Sequence, residues 1–314
     1  MSRRAAARSP TSCGPVTSED DIRRPLEARL RNEIPGLAFQ HAELNDYGED
    51  NLVLVLDGTW IVRFARTIDG LAKFGSELRL LEQLRGVSPV PVPNYEYVAP
   101  DRSFGAYRLI AGHEMTPVVY RGLGVERQRG VLGALAGFLT VLHRLPRELI
   151  AQPDGLVPST FSGEQFAALY RAVRRAKIAR VVGAATLARF DAFHEAFEKI
   201  EPGLPRLAHN DLSDDHILVG DDRSLAGVID FGDAAFGDPA IDFAWFWRLG
   251  EPALDFVLTV YGLTPEDPGL KLRARWVFVR YLINQLHYGE GARGYLPVEQ
   301  ALAELEPHLK VLGF

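Results

Sequence analysis

Residues 207–247 read LAHNDLSDDHILVGDDRSLAGVIDFGDAAFGDPAIDFAWFW. Two short β-rich runs, 216–219 and 225–229, stand on either side of the turn GDDRS, which predicts a hairpin. His209-Asn210-Asp211 precedes the first run, and Asp230-Phe231-Gly232 follows the second. A loop, a hairpin and a second loop therefore bring polar groups from separate sequence positions to one point. Further on, Asp238-Pro239 predicts a helix start, with aspartate as N-cap and proline in the first helical position. Asp242 lies one turn later and faces back toward that start. Phe243, Trp245, Phe246 and Trp247 crowd one helix and are read as core rather than as a stacking surface for a ligand.

Phosphoryl transfer explains these residue types in this order. It needs a carboxylate that orients the substrate hydroxyl and accepts its proton, and further ligands that hold Mg²⁺ on the nucleotide phosphates. Asp211 is the candidate base and Asp230 a candidate metal ligand. Taken singly, Asp211 reads as a loop or capping aspartate and His209 as a packed histidine; the ordered set with His216 and Asp230 gives them a chemical meaning.

At these residues the chain resembles the aminoglycoside phosphotransferases and their relatives, antibiotic kinases of protein-kinase-like fold, in which HxDxxxxH/N is followed by IDFGD or a variant. HNDLSDDHILV and GVIDFGDA are most similar to the branch that phosphorylates the 2″-hydroxyl of aminoglycosides, and DPAIDFA is shared with macrolide and viomycin-type kinases. The resemblance runs in order from about Gly48 to Trp247. It implies an α+β, bilobal fold with a small β-rich N-lobe and a larger, mainly helical C-lobe. It implies Mg²⁺ as cofactor, ATP or GTP as phosphoryl donor, and His216 as a metal ligand beside Asp230, an unusual choice for a cation that prefers oxygen. It further implies that Asp242 anchors the backbone of the catalytic loop, with His209 supporting the same loop.

Working toward the N-terminus, residues 112–200 carry helical spacing, with Leu132, Leu135, Leu139, Leu142 and Leu145 in one run and further amphipathic runs at 161–180 and 186–200. Before Gly112 the pattern is different. Thr17 or Ser18 caps a first helix that runs to about Asn32, with Glu19, Asp20 and Asp21 suited to its N-terminus. NLVLVLDGTWIVRFA (51–65) follows, two β-rich runs joined by Asp57-Gly58, a strong hairpin signal. Residues 69–85 read as a helix, and 95–98 with 106–110 as a second hairpin around PDRSFG. These patterns divide the chain into a disordered tail at 1–16, a β-rich lobe at 17–111 and a helical lobe at 112–314; the resemblance implies that the first lobe binds nucleotide and the second carries the catalytic loop and acceptor site.

No G-x-G-x-x-G precedes the WIVRFA strand. The short loop Gly48-Glu49-Asp50-Asn51 stands there instead, and Gly48 and Asn51 are candidates to approach the nucleotide; an ordinary turn is the plainer reading. Where the resemblance expects a phosphate-binding lysine, the chain has Arg63, whose planar head is not a conservative exchange. Glu77 is placed like the glutamate that pairs with that cation, and Tyr107, Leu109 and Ile110 like the hinge that meets the purine. A solvated helix-face charge is the plainer reading of Glu77.

Charge points to the acceptor. The chain of 314 residues has 35 basic and 41 acidic side chains, formal net −6, which argues against a general nucleic-acid or anionic-membrane binder. The imbalance is local: residues 201–314 hold 18 acidic and 9 basic side chains, and residues 211–255 hold 11 and 2. A cationic partner fits such a surface, and Ser213, Asp214, Asp233 and Glu251 are the candidates to contact its amines or hydroxyls. An aminoglycoside leads; macrolide, tuberactinomycin and nucleoside antibiotics remain alternatives, as does a metabolite such as choline or homoserine. Arg63 also leaves open a pseudokinase that binds nucleotide without catalysis. With 47% hydrophobic and 24% charged residues the chain can bury a full core. Cys13 is its only cysteine, so an intramolecular disulfide is excluded. No membrane span is apparent, and a cytoplasmic monomer is expected.

Overall fold

Ser18 begins the first helix as the sequence predicts. In the computed structural model, which describes residues 18–34, 36–46, 50–152, 154–288 and 296–314, α1 spans Glu19–Glu33. Its cap is reciprocal: the Asp21 backbone N–H donates to Ser18 Oγ at 3.2 Å, and the Ser18 backbone N–H donates to Asp21 Oδ2 at 2.9 Å. The tail read at 1–16 and Gly48 lie outside the described residues.

Contacts divide the chain into two units. One takes the chain up to Thr67 together with Tyr95–Leu109; the other takes Ile68–Asn94 and Ile110–Phe314. The first unit contains α1 and a five-stranded antiparallel sheet built from β1 (Ala42–Asn45), β2 (Asn51–Leu56), β3 (Trp60–Ala65), β4 (Tyr95–Val98) and β5 (Phe104–Arg108), in the order β1-β2-β3-β5-β4. Asp57 and Gly58 have φ of +48° and +61°, the left-handed pair that a tight turn matching strand twist requires. The Asp57 carboxylate accepts from the backbone N–H groups of His41, at 2.7 Å, and Gln40. Those bonds hold its pKa below the ordinary carboxylate value. Leu30 of α1 and Leu54, Leu56, Val62, Phe64, Phe104 and Ala106 of the sheet form a buried core, with Phe64 stacked on Phe104 at 4.9 Å between ring centroids.

Helix α2 (Ile68–Val87) falls between strands in sequence, within the first of the two predicted lobes, yet by contact it belongs to the second unit. The reason is polar. Ser76 Oγ donates to the Ile150 carbonyl at 3.2 Å, and the Arg79 guanidinium donates to the carbonyls of Leu149 and Ala151. The second unit also contains two small sheets. β6 (His113–Glu114), β8 (Ile217–Val219) and β9 (Leu225–Val228) form one; β7 (Arg206–Ala208) and β10 (Ala235–Gly237) form the other. β1, β6, β7 and β10 are strands the sequence pattern does not announce, because each has only two to four residues and their pairing rather than their composition makes them strands.

Besides α2, the α-helices described in this unit are α3 (Pro117–Gly122), α4 (Val125–Leu142), α5 (Gly163–Leu169), α6 (Arg175–Ile178), α7 (Ala184–Phe197), α8 (Ala240–Ala244), α9 (Glu251–Val260), α10 (Leu270–Tyr288) and α11 (Val298–Leu312). A wider π-helical turn at Tyr170–Arg174 interrupts the single helix expected across 161–180. Phe138, Phe190, Phe193, Phe231, Phe243, Phe246 and Phe278 are fully buried here, so the aromatic run after Asp242 is core, as read from sequence. Among the described residues no helix is long and apolar enough to cross a membrane.

Leu54 lies in β2 with no exposed surface, so Leu54→Ala is expected to lower the unfolding free energy by about 2–5 kcal/mol. Val118→Ala, at a position 73% exposed, should stay within about 0.5 kcal/mol. Urea denaturation followed by circular dichroism measures both.

Candidate functional site

Two loops leave the small sheets of the second unit and meet. The first, between β7 and β8, carries His209 to His216; the second, between β9 and β10, carries Asp230 to Ala234. The fully buried Asp242 of α8 holds the first. Its two carboxylate oxygens each accept a backbone N–H at 2.8 Å, Oδ2 from His209 and Oδ1 from Asn210. Asn210 takes φ of +70°, a left-handed conformation that asparagine tolerates better than most side chains. The Asn210 side-chain amide donates to the Asp233 carbonyl at 3.0 Å, tying the loops together.

His209 is fully buried between the two loops. Its Nε2 bonds the Ile229 carbonyl at 3.0 Å, and its ring packs 4.8 Å from that of Phe231. Burial lowers its pKa, so the ring is neutral and Nε2–H is the donor. The residue after Ile229, Asp230, has φ of +65°, a left-handed conformation that aspartate, like asparagine, adopts more readily than most side chains. The Ile229 N–H donates to the His216 carbonyl at 2.9 Å, so the backbone also joins the loops.

These constraints place His216 between the carboxylates. Nδ1 bonds the Asp211 carbonyl at 2.6 Å and lies 3.6 Å from Asp211 Oδ2, while Nε2 lies 3.7 Å from Asp230 Oδ2 and 3.9 Å from Asp215 Oδ2. Burial opposes charging of the ring, but Asp215, Asp211 and Asp230 outweigh it and raise the histidine pKa. About half of the Asp211 side chain reaches solvent, yet the walls around it desolvate the carboxyl. That burial, aided by the charges of Asp233, Asp215 and Asp230 and opposed by His216, raises its pKa to about 7. Ser213 Oγ is engaged within the loop, donating to Asp215.

The structure thus brings Asp211, Ser213, His216 and Asp230 together, supported by His209 and Asp242. The other acidic candidates already have cationic partners. Asp214 faces Arg248 at 3.3 Å, Asp233 faces Lys73 at 2.7 Å, and Glu251, at the start of α9, faces Lys271 at 2.7 Å and Arg275 at 3.4 Å. Lys271 is the main reason the Glu251 pKa is lowered. Of the nucleotide candidates, Arg63 sits in β3 at 6% exposure and Glu77 in α2 at 2%, so Glu77 is not a solvated surface charge. Asn51 starts β2 opposite Ala65, and the buried Tyr107 meets Tyr95 edge-on at 5.0 Å. The backbone N–H of Leu109 donates to the Thr59 carbonyl at 2.9 Å. Ile110 packs where Gly227 has no side chain; a Cβ there would lie 3.0 Å from Ile110 Cγ2.

Two residues escape the sequence reading. His143, just past the C-terminal end of α4, bonds Asp242 Oδ2 through Nε2 at 3.0 Å and the Tyr261 hydroxyl through Nδ1 at 2.7 Å, all three groups being buried. The available signal was a histidine ending an otherwise apolar run. Among the described residues no group of three or more His, Cys, Asp or Glu side chains is arranged to hold a metal ion. Asp230 Oδ2 lies 3.7 Å from His216 Nε2, and of these two atoms the carboxylate oxygen is the one whose chemistry suits Mg²⁺, a cation that prefers oxygen and keeps phosphate and water ligands.

Comparison with known proteins agrees with this architecture. The chain is 26% identical over 266 residues to the uncharacterized protein YcbJ of Bacillus subtilis (strain 168), covering 75% of this chain and 82% of that one. The GDP and kanamycin complex of APH(2")-IIia superposes with a TM-score of 0.75 at 24% identity, over 92% of this chain and 99% of that one. The macrolide 2'-phosphotransferase MphH from Brachybacterium faecium, as apoenzyme, gives 0.58 at 25% identity, over 92% and 98%. The expected protein-kinase-like fold is therefore borne out. Residues 41–276, well over half of the sequence, match the model of the phosphotransferase enzyme family APH, and the chain belongs to that family.

Proposed function

We propose that this phosphotransferase is a magnesium-dependent kinase that moves the γ-phosphoryl group of ATP or GTP to a hydroxyl of a cationic antibiotic, an aminoglycoside before others. The observation that carries the reading is the convergence of Asp211 and Asp230 on opposite nitrogens of one imidazole, at 3.6 and 3.7 Å. Asp211 orients the acceptor hydroxyl and takes its proton as the oxygen bonds to the γ-phosphorus. The bond from that phosphorus to the bridging oxygen breaks, and the nucleoside diphosphate leaves. A carboxyl raised to about 7 has the proton affinity such a base needs near neutral pH. Asp230, with His216 beside it, would hold magnesium, which would supply positive charge against the phosphates. Arg63 contributes positive charge toward the phosphates, paired in role with Glu77, and Asn51, Tyr107, Leu109 and Ile110 serve the nucleotide. Asp242 and His209 act through the loops they position.

Ser213, Asp214, Asp233 and Glu251 are proposed to face the acceptor. The cations already bound to the last three favour a second reading in the same class, an acceptor with one positive charge and a large neutral body, of macrolide type. Arg248, Lys73, Lys271 and Arg275 neutralise much of the acidity that a polyamine would seek.

Incubation of the protein with Mg²⁺, either nucleotide and a panel of aminoglycosides, macrolides and peptide antibiotics should give a product heavier by one phosphate, detected by mass spectrometry. A panel left unmodified throughout would remove the antibiotic from the proposal. Asp211→Asn should lower turnover by about 10²–10⁴-fold with an unchanged circular dichroism spectrum; wild-type turnover would exclude Asp211 as the base. Asp242→Ala leaves two buried N–H donors without acceptors and should cost about 2–5 kcal/mol, read by urea denaturation, together with a fall in kcat.

A further inference from the structure

Tyr261 stands just past the C-terminal end of α9, buried against α8 and the end of α4. Its ring meets Phe243 at 4.9 Å and the His143 imidazole at 5.5 Å between centroids, both edge-on. The backbone fixes it in this place. The Tyr261 N–H donates to the Val257 carbonyl at 2.8 Å, and the next N–H, that of Gly262, donates to Thr140 Oγ1 of α4 at 3.1 Å. A Cβ on Gly262 would lie 3.2 Å from Thr140 Cγ2, so the glycine lets the end of α9 approach α4 closely. What a phenylalanine in the same place would lack is the hydroxyl, which meets His143 Nδ1 at 2.7 Å.

The partners give each bond its direction. A carboxylate only accepts, so His143 Nε2 carries the proton that goes to Asp242 Oδ2 at 3.0 Å, and Nδ1 is left to accept from Tyr261. Burial pushes the Tyr261 hydroxyl pKa up, so the phenol keeps its proton and donates. Tyr261, His143 and Asp242 are all at most 2% exposed, and water does not replace a lost partner cheaply there. A polar chain with every member satisfied is rigid in such a dry setting. This one runs from the Tyr261 hydroxyl through the imidazole to Asp242, and from Asp242 to the N–H groups of His209 and Asn210, directly ahead of Asp211.

We propose that Tyr261 is a positioning residue for phosphoryl transfer: its hydroxyl holds the His143 ring in the orientation and tautomer that donate to Asp242, and through Asp242 it fixes the loop that presents Asp211. The role rests on Asp211 as the base, and Tyr261 acts on it from behind the site. Nitrogen-15 spectra of the unaltered full chain should place the His143 ring proton on Nε2, with Nδ1 accepting a hydrogen bond; a proton on Nδ1 would overturn the proposal without any variant having to fold. Tyr261→Phe should move the Nδ1 resonance and speed hydrogen exchange of the His209 and Asn210 amides about tenfold, while the amides of β3 and β5 in the first unit keep their rates. Unchanged loop exchange, or acceleration spread evenly over both units, would also overturn it. Tyr170→Phe removes another buried hydroxyl, bonded to Asp191 at 3.0 Å, and should leave the two loop amides as they were. With an acceptor from the antibiotic panel, Tyr261→Phe should lower kcat by about ten- to a hundredfold and leave the nucleotide KM within about twofold; wild-type kcat would again count against it. The spectra and the exchange need no substrate, so a panel left unmodified bears on the acceptor and not on Tyr261.

Discussion

The carboxylate of Asp242 is the constraint on which the rest of the site depends. It has no access to water, and it is satisfied by two backbone N–H groups of the loop ahead of Asp211 and by His143. Hydrogen bonds to a charged acceptor are short and strong, and in a dry environment their geometry is enforced by the penalty of losing them. Fixing His209 and Asn210 in this way forces the loop through the left-handed conformation at Asn210 and brings Asp211 to the side of His216. His209 then carries the constraint across to the Ile229 carbonyl and so to Asp230. The order at the carboxylates is thus inherited from a helix behind them.

The acidic surface looks different once side chains have partners. A stretch rich in aspartate and glutamate reads as an attractor for cations, but the folded chain answers Asp214, Asp233 and Glu251 with its own arginines and lysines. Most of these pairs are partly exposed and contribute little stability by themselves. Asp211, Asp215 and Asp230 are instead gathered around one histidine.

Arg63 and Glu77 show the limit of reading one residue at a time. Each could have been an ordinary surface charge, yet both are almost fully buried, and charged groups are rarely buried without a structural or chemical role. That burial makes a purely decorative place for either side chain untenable and is the strongest reason to retain them in the nucleotide-handling set.

Local chemistry already wrote several elements into the sequence. Asp57-Gly58 dictates its turn because few residues accept positive φ twice in succession; Ser18 with Asp21 dictates a helix start through reciprocal capping; and the order of His209, Asp211, His216 and Asp230 carries the resemblance to the phosphotransferase family to which the chain belongs. Pairing was beyond its reach. The two- to four-residue strands β1, β6, β7 and β10 exist only because a partner lies alongside, α2 joins the helical unit through carbonyls some seventy positions away, and His143 gains its place only when α4, α8 and α9 converge. Short-range rules act through backbone torsions and nearest neighbours, whereas which acid meets which base is fixed by long-range packing that no local pattern encodes.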